Sequence, residues 1–130
     1  MQKKPTEKRI VVVDDDPLIN EAISKLLSDA GYTVATMTDS TKAMEAIFHI
    51  KPDLVILDVA MPDVDGIELA RQLQENPKTA PIPIVFLSAV SGTDVRLNTY
   101  KSGGTIFIAK PFEQQTVLTI VDAVLRRRAT

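Results

Sequence analysis

The sequence predicts an α/β domain: a doubly wound parallel sheet of five strands in the order 2-1-3-4-5, with helices on both faces. Three observations predict it. Four short apolar runs each end at a polar or small-residue turn; apolar residues repeat at helical spacing in the segments between them; and the connections are short enough that consecutive elements must be neighbours.

The first run, Ile10-Val11-Val12-Val13, reads as a buried strand that stops at Asp14-Asp15-Asp16. Asp16-Pro17 is an N-cap and N1 pair, and Leu18, Ile19, Ala22, Ile23, Leu26, Leu27 and Ala30 then form a helical stripe closed by Gly31. Residues 32–37 make a short mixed strand. Residues 40–51 carry Ala43, Ile47 and Ile50 on one helical face and stop at Pro52. The next strand, Leu54-Val55-Ile56-Leu57, delivers Asp58 into the turn Met61-Pro62-Asp63-Val64-Asp65-Gly66. A helix over residues 66–75 presents Leu69, Ala70 and Leu73 and ends before Pro77. Ile84-Val85-Phe86-Leu87 runs into Ser88-Ala89, and residues 93–102 form the helix with the fewest apolar anchors, ending at Gly103-Gly104. Ile106-Phe107-Ile108-Ala109 delivers Lys110-Pro111. The closing helix, residues 113–128, faces Val117, Leu118, Val121, Val124 and Leu125 inward and ends in arginines that complement its dipole.

The strands rank themselves. The first, third and fourth are continuous apolar runs, as strands covered on both faces must be, whereas the second is mixed and fits an edge. That ranking gives the stated order, whose switch point lies between the first and third strands, and the ligand crevice of such a sheet lies at the carboxyl ends beside it. Asp14, Asp15 and Asp58 converge there, with Ser88 and Lys110 on the next two strands.

At 130 residues the chain holds one core of ordinary size. Its formal net charge of −2 gives no basic field for non-specific nucleic-acid binding, and the absence of cysteine excludes disulfides and thiolate chemistry. No signal peptide is legible before Arg9, and no apolar run approaches the roughly 20 residues a membrane helix needs, so a cytoplasmic protein is expected. Three carboxylates packed together repel one another unless a cation is present, and the expected cation is hard and divalent: magnesium takes oxygen ligands and keeps several waters. Zinc is disfavoured, because His49 is the sole histidine and sits on a helix away from the site. An ammonium, a hydroxyl and backbone N–H groups beyond strand ends are what a phosphoryl group requires, and a carboxylate can itself be the nucleophile.

With these residues in place the chain resembles the receiver domain of two-component response regulators, of the chemotaxis-regulator type. The resemblance rests on Val13-Asp14-Asp15-Asp16-Pro17, Leu57-Asp58-Val59-Ala60-Met61-Pro62 with Asp65-Gly66, Leu87-Ser88-Ala89 and Lys110-Pro111-Phe112, which together and in this order are highly specific. It implies a flavodoxin-like (βα)5 fold, with a flexible N-terminal segment at 1–8, a receiver domain at 9–126, and a tail or the start of a linker at 127–130. It implies that Asp58 accepts a phosphoryl group from a phosphohistidine on a sensor histidine kinase or a histidine phosphotransfer protein. Asp15, Asp58 and the backbone carbonyl of Ala60 would ligate Mg2+, with Asp14 acting largely through water; Ser88 and Lys110 would bind the phosphoryl oxygens, aided by the N–H groups of Ala60 and Ala89. Phosphorylation would draw Ser88 inward and let Phe107 turn, switching a surface made of the fourth helix, fifth strand and fifth helix for an effector protein or a fused output domain. A phosphoacceptor of this kind is a regulator rather than an enzyme, with slow self-phosphorylation from small donors, slow autodephosphorylation, and a monomeric or weakly dimeric state.

Some features read two ways. Phe107 is either that switch or an ordinary core aromatic. Gly103-Gly104-Thr105-Ile106 and Gln115 depart from the acidic and arginine positions through which many DNA-binding receivers dimerise. Competing readings are a magnesium phosphatase with its nucleophile on the first strand, which lacks the further acidic pair such enzymes need after the lysine, and an idle pseudo-receiver, which a complete pocket argues against.

Overall fold

The computed structural model describes residues 8–89 and 106–129. Among them, β1 (Arg9–Val13), β2 (Thr33–Met37), β3 (Leu54–Asp58), β4 (Ile84–Ala89) and β5 (Ile106–Lys110) form one parallel sheet in the order β2-β1-β3-β4-β5, as expected. Three helices, α1 (Pro17–Asp29), α2 (Ala43–Ile50) and α3 (Gly66–Glu75), and a C-terminal helix (Gln114–Ala129) cover it. The predicted helix at 93–102 lies outside the described residues. No helix among the described residues is long and apolar enough to cross a membrane.

Strand alternation sorts the core into two layers. Val11, Val13, Val55, Leu57 and Phe86 point to one face, where Ala43 and Ile47 of α2 and Leu69, Ala70 and Leu73 of α3 meet them. Ile10, Val12, Leu54, Ile56, Val85, Leu87 and Ile108 point to the other, against Ile23 and Leu27 of α1 and Val117, Val121, Val124 and Leu125 of the C-terminal helix. Each fully buried Leu or Ile in these layers contributes roughly 1.5–3 kcal/mol of burial, so packing rather than helix propensity holds the helices in place.

The ends of the elements carry the local differences. The helix expected from residue 40 begins as a 3-10 turn over Ser40–Lys42, in which the Lys42 N–H donates to the Asp39 carbonyl at 3.2 Å, and the Asp39 carboxylate caps it, accepting from the Thr41 N–H at 3.0 Å and from its hydroxyl at 2.5 Å. It ends at Lys51, in the left-handed region at φ 54, with Pro52 unable to continue it. Lys8, which the sequence places in the N-terminal segment, is buried, and its carbonyl accepts from the Thr33 N–H at 3.0 Å; residues 1–7 lie outside the described residues. The C-terminal helix, expected over residues 113–128, spans Gln114–Ala129. Asp16 caps α1 as predicted, its carboxylate accepting from the Leu18 N–H at 2.9 Å.

Candidate functional site

The parallel ladder sets the site. β3 extends through Asp58, which pairs with Leu87, and β4 through Ala89, which pairs with Lys110, so the carboxylate and the ammonium are the last residues of their strands. Backbone pairing fixes both where a loop would not. Asp14 follows β1 directly and is fully buried; its N–H donates to the Met37 carbonyl at 3.1 Å, and its Oδ1 accepts from the Asp16 N–H at 2.9 Å. Asp15, next to it, is exposed.

Lys110 Nζ stands 2.8 Å from Asp14 Oδ2 and 3.1 Å from Asp58 Oδ1. Asp14, Asp15 and Asp58 each offer an oxygen, all within 4.8 Å of one another. One ammonium thus serves two buried carboxylates with a third beside them, and the acids outnumber it. Burial, then the charge of Asp14, pushes the Asp58 carboxyl up to about 6, against the opposing pull of Lys110 and the Ala60 N–H. Burial works to lower the pKa of Lys110, but its hydrogen bonds to Asp14 and Asp58 and their charges outweigh burial, so the net shift is upward. Asp58 is thus raised by burial and by a like charge that Lys110 only partly offsets, while Lys110 meets only opposite charges. An oxygen-rich cluster with excess negative charge suits a hard divalent cation, and the backbone carbonyl of the exposed Ala60 can add a neutral ligand.

The remaining predicted residues are placed by register. Ser88 pairs with Ala109 on β5 and lies two residues beyond Phe86, so it shares the sheet face of Phe86 and Phe107. Phe107 is half-buried and stacks on Phe86, ring centroids 5.5 Å apart with planes 20° from parallel. The stack links the site-bearing strands β4 and β5. His49 is exposed on α2, 3.9 Å from Glu45, away from the site.

Three residues gain roles that sequence reasoning did not give them. Asn20 of α1 is buried and donates through Nδ2 to the Asp14 carbonyl at 2.9 Å and the Met37 carbonyl at 3.0 Å, fastening the helix to the acidic strand end. Ser40 is buried and donates to the Pro62 carbonyl at 3.1 Å, in the loop after Asp58. Gly66 packs on the backbone of Asp58: a Cβ there would lie 2.1 Å from the Asp58 carbonyl oxygen, and its N–H donates to the Val59 carbonyl at 3.0 Å. The Asp65-Gly66 pair in the sequence was a signal for the last of these; the first two are long-range bonds with no local pattern.

The family model for the response regulator receiver domain matches residues 10–122. The chain belongs to this receiver-domain family. Among curated relatives, the DNA-binding dual master transcriptional regulator RpaA of Synechocystis is 35% identical over 119 residues, covering 92% of this chain and 49% of the relative. The phosphate regulon transcriptional regulatory protein PhoB of Pseudomonas aeruginosa is 38% identical over 120 residues, covering 92% and 52%. This receiver domain thus spans about half the length of the curated relatives it matches. Among solved structures, chemotaxis protein CheY4 of Vibrio cholerae superposes with a TM-score of 0.80 at 28% identity, over 90% of this chain and 98% of the other. The receiver domain of the Francisella response regulator 1452 does so at 0.81 with 26% identity, over 93% and 98%. The chain is thus a receiver domain of the response regulators of two-component signalling, and the curated relatives it matches are regulators.

Proposed function

We propose that Asp58 is the phosphoacceptor, taking a phosphoryl group from a phosphohistidine of a sensor histidine kinase or a histidine phosphotransfer protein. The observation that carries this reading is the placement of Lys110 Nζ 2.8 and 3.1 Å from two buried carboxylates that share a 4.8 Å cluster with Asp15. In the transfer, a carboxylate oxygen of Asp58 attacks phosphorus, the phosphorus–nitrogen bond breaks, and the histidine leaves. Even raised to about 6 in the metal-free site, the Asp58 carboxyl is ionised at neutral pH, the form that attacks. Lys110 then holds a phosphoryl oxygen as a point charge, and the Ala60 N–H, already donating to the Asp58 carboxylate, holds another. Ser88, at the end of β4, supplies a hydroxyl from the adjoining strand. Asp15, Asp58 and the Ala60 carbonyl, with Asp14 through water, would hold Mg2+, which when bound offsets the charge of the acids and of the incoming phosphoryl group.

The output follows from the same strands. Inward movement of Ser88 on phosphorylation would bias the half-buried Phe107, and with it the surface of β5 and the C-terminal helix that an effector protein or output domain reads. The predicted contribution of residues 93–102 to that surface lies outside the described residues. Slow self-phosphorylation from a small donor is part of this reading. With magnesium and such a donor, intact-mass measurement should show one added phosphoryl group on the wild type and none on Asp58→Asn. Full labelling of the mutant would place the nucleophile elsewhere.

A further inference from the structure

We infer that Ser40 is a positioning residue for the phosphoryl and metal pocket, holding the loop after β3 so that the backbone of Ala60 faces Asp58. The inference rests on the proposed function. The loop from Val59 to Asp65 is closed at its base: the Val59 N–H donates to the Leu87 carbonyl at 2.9 Å, and the Gly66 N–H returns to the Val59 carbonyl at 3.0 Å. Between those points the loop carries Ala60 past the carboxylate, to which the Ala60 N–H donates, and its backbone must hold that pose. Pro62 has no N–H to donate, and Asp63 adopts a left-handed φ of 67, a conformation that neighbouring contacts must hold. Among the described residues, two further contacts tie the middle of the loop to the α2–α3 side. The Met61 side chain is buried at 8% exposure in the α2–α3 layer, and the Ser40 hydroxyl donates to the Pro62 carbonyl at 3.1 Å.

Ser40 is well placed to act as an anchor. It is 5% exposed, and the 3-10 turn that bears it is capped by Asp39, whose carboxyl is held below its usual value by hydrogen bonds from the Thr41 hydroxyl and N–H. The turn is followed directly by α2, whose Ala43 and Ile47 are fully buried. The bond therefore runs from a packed element to a loop that is otherwise solvent-facing at Ala60, Pro62 and Asp63. An alanine at position 40 would leave the Pro62 carbonyl to rotate toward water, and Ala60, two residues upstream, would shift with it. Its carbonyl and N–H are the loop's contribution to the site, so magnesium affinity should fall while the core stays intact.

Calorimetric titration of magnesium into wild type, Ser40→Ala, Ser40→Cys and Thr79→Ala, with melting temperatures for each, tests this. Thr79 is the comparator: its hydroxyl also makes a buried bond to a carbonyl, 2.6 Å from Leu73, but at the far end of α3. Ser40→Ala should weaken magnesium binding about tenfold, the low end for an outer-shell partner. Ser40→Cys, with a weak donor of similar size, should fall between it and the wild type, and Thr79→Ala should lose melting temperature with unchanged affinity. Wild-type affinity in both Ser40 variants would overturn the inference, as would an equal loss in Thr79→Ala. A wild type that binds no magnesium would overturn the proposed site itself, and this inference with it.

Discussion

The Asp58 carboxylate should make the metal-free protein less stable at neutral pH than it would be without that charge, and the size of the effect follows from the site. Its pKa rises from 3.8 to about 6, chiefly through burial and the charge of Asp14. Because the folded value lies above the unfolded one, the native state binds the extra proton between the two. The stability this represents is full below about 4 and is lost as pH rises through about 6. At about 1.36 kcal/mol per unit, the ceiling is about 3 kcal/mol, and an amide that reproduces the neutral acid only in part brings the expected gain to about 1–2 kcal/mol. Asp58→Asn keeps the shape and mimics the neutral form. In chelator at pH 7.5 it should therefore be more stable by about 1–2 kcal/mol, or roughly 3–8 °C in Tm for a domain of this size. The gain should shrink steadily as pH is lowered toward 4. Urea denaturation of both proteins across that range measures it. A mutant less stable than wild type at pH 7.5, or a difference independent of pH, would refute the reasoning and make the Asp58–Lys110 pair a net structural asset.

Three further perturbations separate the roles around the site. Asp15→Ala should severely weaken magnesium binding by calorimetry while leaving the metal-free protein as stable as wild type or more so, since Asp15 is exposed and sits in a like-charged cluster. Gly66→Ala should cost about 3 kcal/mol in denaturant unfolding, the upper part of the overpacking range, because its Cβ meets the backbone oxygen of Asp58 at 2.1 Å and the strand end must move. Asn20→Ala should cost roughly 1–2 kcal/mol: the Asp14 carbonyl loses a donor, while removal of the buried Asn20 Oδ1, which has no hydrogen-bond partner among the described residues, offsets part of the loss.

The sheet was legible because both of its signals are local. A run such as Leu54-Val55-Ile56-Leu57 is apolar at every position since alternate residues enter opposite layers, and Thr33–Met37 is mixed because it lies at the sheet edge. Strand order then followed from burial, and the positions of Asp14, Asp15, Asp58 and Lys110 followed from strand order. The bonds that steady those residues were not legible. Asn20 reads as one polar residue in an amphipathic stripe, and Ser40 as the first residue of a helix, yet each is buried by a partner that only the folded chain supplies. Ser40 and Pro62 stand 22 residues apart, beyond the reach of any periodicity. The bridging of two acids by Lys110 was also unseen, because the sequence offered the lysine to the phosphoryl group and gave no view of what it meets before one arrives.

The central claim, that Asp58 carries the phosphoryl group, is tested most directly by locating the modification itself. After phosphorylation by a small donor with magnesium, borohydride reduction converts an aspartyl phosphate to homoserine, and peptide mass spectrometry then finds the residue changed. The account predicts homoserine at position 58 and unmodified aspartate at positions 14, 15 and 16. Conversion at any of those three, with Asp58 intact, would contradict it.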